Sequence, residues 1–150
     1  MVILHDIRSH YNVGAIFRTA DGAGVSHLYL TGYTPAPIDR FGRAVPEIHK
    51  TALGAETTVP WSTEHSLLAL IPLLQGKGVW VVAVEQGIGS TLLPDFAPHT
   101  DTAYIFGSET EGVPKAALAL VDEVLELPML GAKESLNVSV TAGIVLYHGV

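Results

Sequence analysis

The chain has 150 residues, of which 48% are hydrophobic and 15% charged, a composition that excludes an intrinsically disordered protein and suffices for one folded domain. It contains no cysteine, which excludes disulfides and cysteine-bound metals, and no apolar run is long enough to span a bilayer. The N-terminus does not resemble a signal peptide, so we expect a cytoplasmic protein without membrane partners. The net charge of −7 argues against general affinity for nucleic acid.

The first residues of the chain predict a strand, a helix and a second strand. Val2–His5 and His27–Thr31 are short apolar runs, which are typical of buried strands. Between them, Asn12 can cap a helix, and Gly22 and Gly24 can end it. The helix has one apolar face at helical spacing, formed by Val13, Ile16, Phe17 and Ala20.

The middle of the chain is less regular. Thr34–Pro46 is rich in Pro, Gly and Arg, which predicts a long functional or mobile loop, and Thr57–Val59 is a weak strand candidate. The next helix is expected to begin at Ser62 or Thr63 and to end or kink at Pro72. Its inward residues are expected to be Leu67, Leu68, Leu70, Ile71 and Leu74.

The remaining residues continue to alternate between strand and helix. Strands are predicted at Val79–Val84, Thr102–Phe106 and Val124–Leu127, and helices from Pro114 onward and over 137–147. The helix at Pro114 is expected to carry Ala117, Leu118 and Val121. This alternation predicts an α/β fold in which a parallel sheet is covered on both faces, in one domain.

Charge is distributed unevenly along the chain. Residues 1–50 hold five of the eight basic side chains and four of the fifteen acidic ones, so this third is close to +1 and the rest close to −8. If the protein binds a polyanion, the first third is therefore the expected contact. The alternative is that so small a surplus of arginine has no function.

A first candidate site lies at the start of the first helix. Asn12 and Arg18 are six residues apart, and Gly14 between them allows a second backbone to approach closely. A helix N-terminus favours anions, and Arg18 can hold a phosphate with two donors. The alternative is an ordinary cap followed by an arginine that faces solvent.

A second candidate site is the loop within Ile105–Pro114, which follows a predicted strand. Ligands bind at this edge of open parallel sheets. The spacing of Gly107 and Gly112 is similar to that of a phosphate loop, but Val113 and Pro114 stand where a lysine and a hydroxyl residue would be needed. The two carboxylates of the loop suit a cation, a hydroxyl or a ribose better. The alternative is a polar turn with glycine hinges.

A third candidate site is the stretch Leu127–Val140. A loop containing Gly131 follows the last predicted strand, and the polar cluster Ser135–Asn137 stands at the mouth of an apolar helix. Free backbone groups beside small side chains suit a flat polar ligand. The alternative is that Ser135 or Asn137 only caps the helix. The histidines have no metal-binding spacing, so no metal site is expected.

Together these three sites resemble the SpoU/TrmH family of the SPOUT superfamily of RNA methyltransferases. The resemblance covers nearly the whole chain, and three motifs in the family's order are highly specific. The matching stretches are Asn12–Ala20 with Gly24, Lys50–Glu56, Phe106–Gly112, Leu127–Gly131 and Ser135–Ser139.

The resemblance implies a fold, a cofactor and a reaction. It implies a parallel-sheet SPOUT fold with a C-terminal deep trefoil knot, which is a rare topology. It also implies S-adenosylmethionine as cofactor, a homodimer, and methylation of a ribose 2′-hydroxyl in tRNA or rRNA. We expect residues 1–150 to be a single SpoU-type catalytic domain without a separate RNA-binding domain.

The resemblance also implies site residues, position by position. The expected catalytic residues are Asn12, Arg18, Glu109, Ser135 and Asn137. The expected cofactor-binding residues are Val84, Glu85, Gly107, Leu127, Met129 and Leu136. Because arginine is almost never deprotonated in proteins, we expect Arg18 to hold a phosphate and stabilise oxyanion charge rather than act as a base, with Glu109 fixing it across the cleft.

Two other functions remain open on the sequence. One is a catalytically idle knotted module that binds RNA or assists assembly. The other is a SPOUT methyltransferase that acts on a base or a small molecule. A test of S-adenosylmethionine binding distinguishes an idle module from an enzyme. The position of the transferred methyl group distinguishes a methyltransferase that acts on a base or a small molecule from one that acts on a ribose.

Overall fold

A computed structural model describes residues 1–150 and contains a seven-stranded sheet in the order β3-β2-β1-β6-β4-β7-β5. All of its strand pairs are parallel, which confirms the predicted α/β class. The strands are β1 Val2–His5, β2 Leu28–Thr31, β3 Trp61–Glu64, β4 Trp80–Val84, β5 Thr91–Leu92, β6 Thr102–Phe106 and β7 Glu123–Glu126. The helices are α1 His10–Gly22, α2 Pro46–Ala52, α3 Ala55–Thr58, α4 Leu67–Gln75, α5 Lys115–Leu118 and α6 Val138–Tyr147, and Leu93–Asp95 forms a 3₁₀ turn.

Both faces of the sheet are covered, as the strand–helix alternation predicts. Successive residues of a strand point to opposite faces, so Leu4 joins the apolar cluster that contains α1, α2 and α6. Its neighbour Ile3 joins the cluster that contains α4 and α5. No helix has the length and hydropathy needed to cross a membrane.

Helix α1 begins earlier than predicted. Its cap is Ser9, whose hydroxyl accepts a hydrogen bond from the Asn12 amide at 3.2 Å. Because Ser9 fills the capping position, Asn12 lies in the first turn and its side chain is free for other partners. The predicted apolar face is buried, and Gly22 is the last helical residue.

The largest errors of the sequence prediction lie between residues 46 and 66. The weak strand at Thr57–Val59 is wrong, because most of it belongs to α3. Ser62 and Thr63 do not start a helix but lie in the edge strand β3, which pairs with β2. A polar edge strand gives little apolar signal, so only its partner reveals it.

Helix α4 also differs from its prediction in three details. Its cap is Ser66, whose hydroxyl accepts from the Ala69 amide at 3.2 Å. Leu68 faces solvent rather than the core. Pro72 does not end the helix, which continues to Gln75, with Ile71 and Leu74 buried against the sheet.

Candidate active site

The three candidate sites lie near one edge of the sheet. The carboxyl ends of parallel strands share an edge, and β1, β6, β4 and β7 are neighbours in that order. The loop 107–113 follows β6, the loop 127–137 follows β7, and α1 follows β1. Loops distant in sequence therefore converge where open parallel sheets bind ligands.

Asn12 joins all three sites through its side-chain amide. Its Nδ2 donates to Glu109 Oε1 at 2.9 Å, and its Oδ1 accepts from Asn137 Nδ2 at 3.3 Å. These partners lie 97 and 125 residues away along the chain. A single side chain in the first turn of α1 therefore connects the loops that follow β6 and β7.

Asn137 has two roles in this arrangement. Its Oδ1 accepts from the backbone amide of Ser139 at 2.9 Å and from the Ser139 hydroxyl at 2.6 Å, so it caps α6 as an N-cap residue does. The simple interpretation of Asn137 as a cap is thus correct but incomplete, because its Nδ2 also binds Asn12.

Two adjoining cavities lie between the loops that follow β4, β6 and β7. The smaller, of about 150 Å³, is lined by five of the six residues predicted to bind cofactor, Val84, Glu85, Leu127, Met129 and Leu136, and by Ser135. The larger, of about 460 Å³, is lined by the sixth, Gly107, and by Glu109. Because Val84, Glu85, Ser135 and Leu136 line both, the two cavities form one cleft.

The loop after β6 is held tightly against itself. A Cβ atom at Gly107 would lie 2.2 Å from the carbonyl carbon of Gly112 and 2.5 Å from the amide nitrogen of Val113, so only glycine fits. Glu85 Oε2 accepts from the Val113 amide at 2.9 Å. Glu85, predicted as a cofactor residue, therefore also ties this loop to the end of β4.

The loop after β7 leaves many backbone groups free. The amides of residues 129–136 form no hydrogen bond within the chain. The Glu134 carbonyl accepts from the side-chain amide of Gln86, which anchors the loop to the end of β4. Free amides and the apolar side chains of Leu127 and Leu136 can receive a flat ligand that has both polar and apolar parts.

Arg18 lies apart from this cleft. It is exposed, forms no ion pair or hydrogen bond, and lines a separate cavity of about 490 Å³ with Asp21, Leu53 and Thr58. The six residues from Asn12 to Arg18 correspond to a rise of about 9 Å along α1. Within one chain Glu109 binds Asn12 and does not contact Arg18, so the predicted contact between Glu109 and Arg18 is not formed within a single subunit.

Sequence reasoning missed two residues of the cleft, Gln86 and Thr141, which line both cavities. The position of Gln86 could have indicated its role, since it directly follows the predicted strand end at Val84 and Glu85. Thr141 lies one helical turn after Asn137, so helical spacing could have placed it on the same side of α6.

An open parallel sheet with a mixed polar and apolar cleft at its carboxyl edge defines a ligand-binding α/β domain, of the kind that holds a nucleotide-like group. The sequence model described as the SpoU rRNA Methylase family matches residues 1–147, and the chain belongs to this family.

Similar curated proteins carry one activity in their names. The chain is 34% identical to the 23S rRNA (guanosine-2′-O-)-methyltransferase RlmB of Bordetella pertussis, over 100% of this chain and 58% of that protein. It is 35% identical to RlmB of Neisseria meningitidis serogroup B, over 97% of this chain and 56% of the relative. The chain thus spans a little over half the length of these relatives.

Solved structures match the fold closely. The S-adenosylmethionine-bound rRNA methyltransferase of Sinorhizobium meliloti has a TM-score of 0.85 and 28% identity, covering 98% of this chain and 54% of that one. A chain from work on the 2-OH methylation of C/U34 on tRNA has a TM-score of 0.79 and 26% identity, covering 97% and 90% respectively. The A. aeolicus TrmH/SpoU tRNA modifying enzyme, at 24% identity and a TM-score of 0.85, covers 99% of this chain and 72% of its own and supports the fold alone.

Proposed function

We propose that residues 1–150 form a methyltransferase domain that transfers a methyl group from S-adenosylmethionine to a ribose 2′-hydroxyl of tRNA or rRNA. The observation that carries this proposal is the meeting of three family motifs at Asn12, through its bonds to Glu109 and Asn137, beside a cleft lined by the residues expected to bind cofactor.

The relatives support RNA as the substrate class. Those named above act on guanosine of 23S rRNA, and one solved relative concerns C/U34 of tRNA. The 2′-hydroxyl also separates RNA from DNA chemically. Because the relatives named above act on rRNA, we propose a cytoplasmic setting on the basis of the substrate.

The residues of the cleft fit S-adenosylmethionine. Leu127, Met129 and Leu136 offer apolar contact for a flat ring, and the free amides of residues 129–136 offer donors to polar groups. Glu85 and Glu109 add negative charge for a ligand that carries a sulfonium and an ammonium group. When bound, this cofactor supplies an electrophilic methyl carbon.

The protein side of the reaction is positioning and charge stabilisation. We assign Asn12 to hold Glu109 and Asn137 in place, since it binds both. Ser135 has a hydroxyl free of partners within the chain and lines both cavities, so it can bind the nucleotide or the cofactor. Arg18 is proposed to hold the phosphate next to the target ribose and to stabilise negative charge on the attacking oxygen.

The distance of Arg18 from the cleft leads to a proposal about assembly. Arg18 opens on a different cavity within one chain, so we propose a homodimer in which Arg18 of the partner subunit completes the site. An apolar stripe of helix α6, formed by Val140, Ile144 and Tyr147, is exposed at helical spacing. An exposed apolar stripe on a helix packed against the sheet is suited to form a dimer interface.

Ile144→Asp is expected to convert the dimer to a monomer, because a charge at the centre of an apolar interface loses its hydration without gaining a partner. Leu68→Asp is the matched control, since Leu68 on α4 is 45% exposed and Ile144 is 41% exposed. Sedimentation velocity measures both variants. A dimer that persists in Ile144→Asp, or a wild-type monomer at tens of micromolar, would contradict the assignment.

We also propose the trefoil knot that the family resemblance implies. Strand β7 lies beyond β4 in the sheet, whereas α6 packs on α1 beside β1. The loop 127–137 must therefore cross the carboxyl edge past the loops that follow β4 and β6. Pulling the two ends apart in an optical trap tests the proposal, because a tightened knot leaves the chain shorter than 150 free residues. Full extension would reject the knot.

The reaction itself is tested by transfer of labelled methyl groups to total tRNA and rRNA, followed by mass analysis of the nucleosides. We expect a methyl group on the ribose of one nucleotide. Calorimetry with S-adenosylmethionine runs in parallel. No cofactor binding would favour an idle RNA-binding module, and a methyl group on a base would reject the ribose assignment.

A further inference from the structure

The segment Pro37–Val45, hereafter the arginine hairpin, is an ordered structure within the stretch predicted to be a long loop. Ile38 and Ala44 form an antiparallel bridge, the Val45 amide donates to the Pro37 carbonyl at 2.9 Å, and the Asp39 amide donates to the Arg43 carbonyl at 2.8 Å. The chain reverses direction at its tip.

Asp39 fixes the tip of the arginine hairpin. Its Oδ1 accepts from the Phe41 amide at 2.8 Å and from the Arg43 amide at 3.0 Å, and its Oδ2 accepts from Arg43 Nε at 3.0 Å. The backbone hydrogen bond from Arg43 lowers the pKa of Asp39 below its ordinary value, so the carboxylate is ionised at neutral pH. These bonds hold Asp39, Phe41 and Arg43 in one arrangement.

This arrangement presents an aromatic ring to solvent with two cations close to it. Phe41 is 65% exposed, and the guanidinium carbons of Arg40 and Arg43 lie 4.8 Å and 4.9 Å from its ring centroid. Both distances are within the range of cation–π contact. Phe41 does not contribute to the hydrophobic core, because it belongs to neither apolar cluster.

A second aromatic–cation pair connects the arginine hairpin to the candidate active site. Lys50 lies on α2, the helix that directly follows the hairpin, and its Nζ is 5.9 Å from the ring centroid of Tyr11. Tyr11 is the neighbour of Asn12 in α1. The cations of both pairs belong to the part of the chain that is close to +1 in a protein of net charge −7.

The chemistry of this surface selects its partner. Ordered guanidinium groups pair with phosphates, and both aromatic rings and guanidinium planes stack on unpaired nucleobases. A hydrophobic protein partner is less well matched, because two charged groups lie over the exposed ring. The local excess of positive charge is complementary to a polyanion and opposite to that of the remaining chain.

We propose that the arginine hairpin binds the RNA substrate. An unpaired nucleobase stacks on the ring of Phe41 or on a guanidinium group beside it, and Arg40 pairs with a neighbouring phosphate. This inference rests on the proposed function, and it adds the part of the chain that recognises RNA. It follows that the enzyme prefers a target within a loop or single strand over one in a duplex.

The test compares Phe41→Ala with Phe41→Trp, which keeps a ring. Filter binding measures the affinity for a tRNA transcript, and kinetics measure kcat and KM for RNA. Loss of one stacked base is expected to weaken RNA binding and raise KM by about 5- to 100-fold in Phe41→Ala, with kcat and S-adenosylmethionine binding unchanged. Phe41→Trp should retain wild-type values.

Two further variants sharpen the result. Leu73→Ala removes a side chain that is 55% exposed on α4, and RNA binding should not change. Arg40→Ala should weaken binding and reduce the slope of log affinity against log salt by about one. A single-stranded RNA oligonucleotide should compete for the wild-type protein better than the same sequence in a duplex.

The possible failures are distinguishable. If wild-type protein methylates RNA and Phe41→Ala has the same KM and affinity, the hairpin does not bind RNA and the proposed function stands. That result would leave a protein partner as the occupant of this surface. If wild-type protein binds neither RNA nor S-adenosylmethionine, the proposed function and this inference both fail.

Discussion

Arg18→Ala is expected to lower methyl transfer by at least about 100-fold, while S-adenosylmethionine binds with nearly unchanged affinity. Removal of one preorganised donor to a developing oxyanion costs a factor of about 10² to 10³ in other enzymes. Arg18 is exposed and has no partner within the chain, so its truncation should not affect the fold. Initial rates with saturating RNA and isothermal calorimetry with the cofactor measure the two quantities.

Arg18→Lys is the matched variant for this experiment. Lysine keeps the charge but loses the planar pair of donors, so its activity should lie between those of Arg18→Ala and the wild type. Full activity in Arg18→Ala would reject the catalytic assignment. Loss of cofactor binding in Arg18→Ala would show instead that the residue belongs to the cofactor site.

The same variant tests whether Arg18 acts across a dimer interface. Arg18→Ala protein is mixed with Gly107→Ala protein, whose cofactor loop is disrupted because a Cβ there meets backbone at 2.2 Å. If Arg18 serves the partner subunit, each mixed dimer contains one intact site, and random exchange should restore about a quarter of wild-type activity. If Arg18 serves its own subunit, every mixed site is defective and mixing restores nothing.

Gly14→Ala is expected to lower the free energy of unfolding by about 1–3 kcal/mol or more. A Cβ at this position would lie 2.1 Å from Thr51 Oγ1 and 2.3 Å from the Ile48 carbonyl oxygen, at the contact between α1 and α2. The carbonyl belongs to a helix and cannot move freely. This loss should exceed the gain of about 1 kcal/mol that alanine brings to a helix interior.

Gly143→Ala is the matched control, because Gly143 also lies within a helix beside α1. Its added Cβ would be 3.9 Å from Thr19 Cγ2, an ordinary contact. This variant should keep the wild-type stability or gain up to about 1 kcal/mol. Urea unfolding followed by circular dichroism compares the two. Equal stabilities of Gly14→Ala and Gly143→Ala would mean that α1 and α2 do not pack as closely as described.

The elements that could be predicted are those whose signal is local. The apolar runs Val2–His5 and Thr102–Phe106 are buried on both faces, so composition alone identifies them as strands. The edge strand Trp61–Glu64 has a largely polar sequence, and its pairing with β2 rather than its own pattern makes it a strand. Local sequence patterns could not reveal this pairing of β3 with β2.

The candidate active site was predicted only in part, because some of its features are local in sequence and others depend on contacts between distant segments. Family motifs indicated the residues of the cleft, and the structure brings Val84, Glu85 and Leu136 to one place. The bonds of Asn12 to Glu109 and Asn137 could not be foreseen, because they depend on the relative positions of three strands. Asn12 was predicted to cap α1, but the structure has Ser9 as the cap.

The position of Asn137 has a consequence for how the candidate active site forms. One amide group both caps α6, through Ser139, and bonds to Asn12, whose other partner Glu109 lines the cleft. Fraying of the first turn of that helix therefore releases Asn12 as well. In a chain whose helix α6 has not formed, the bond between Asn137 and Asn12 is absent, so we expect the loops of the candidate active site to be held together only once α6 has folded.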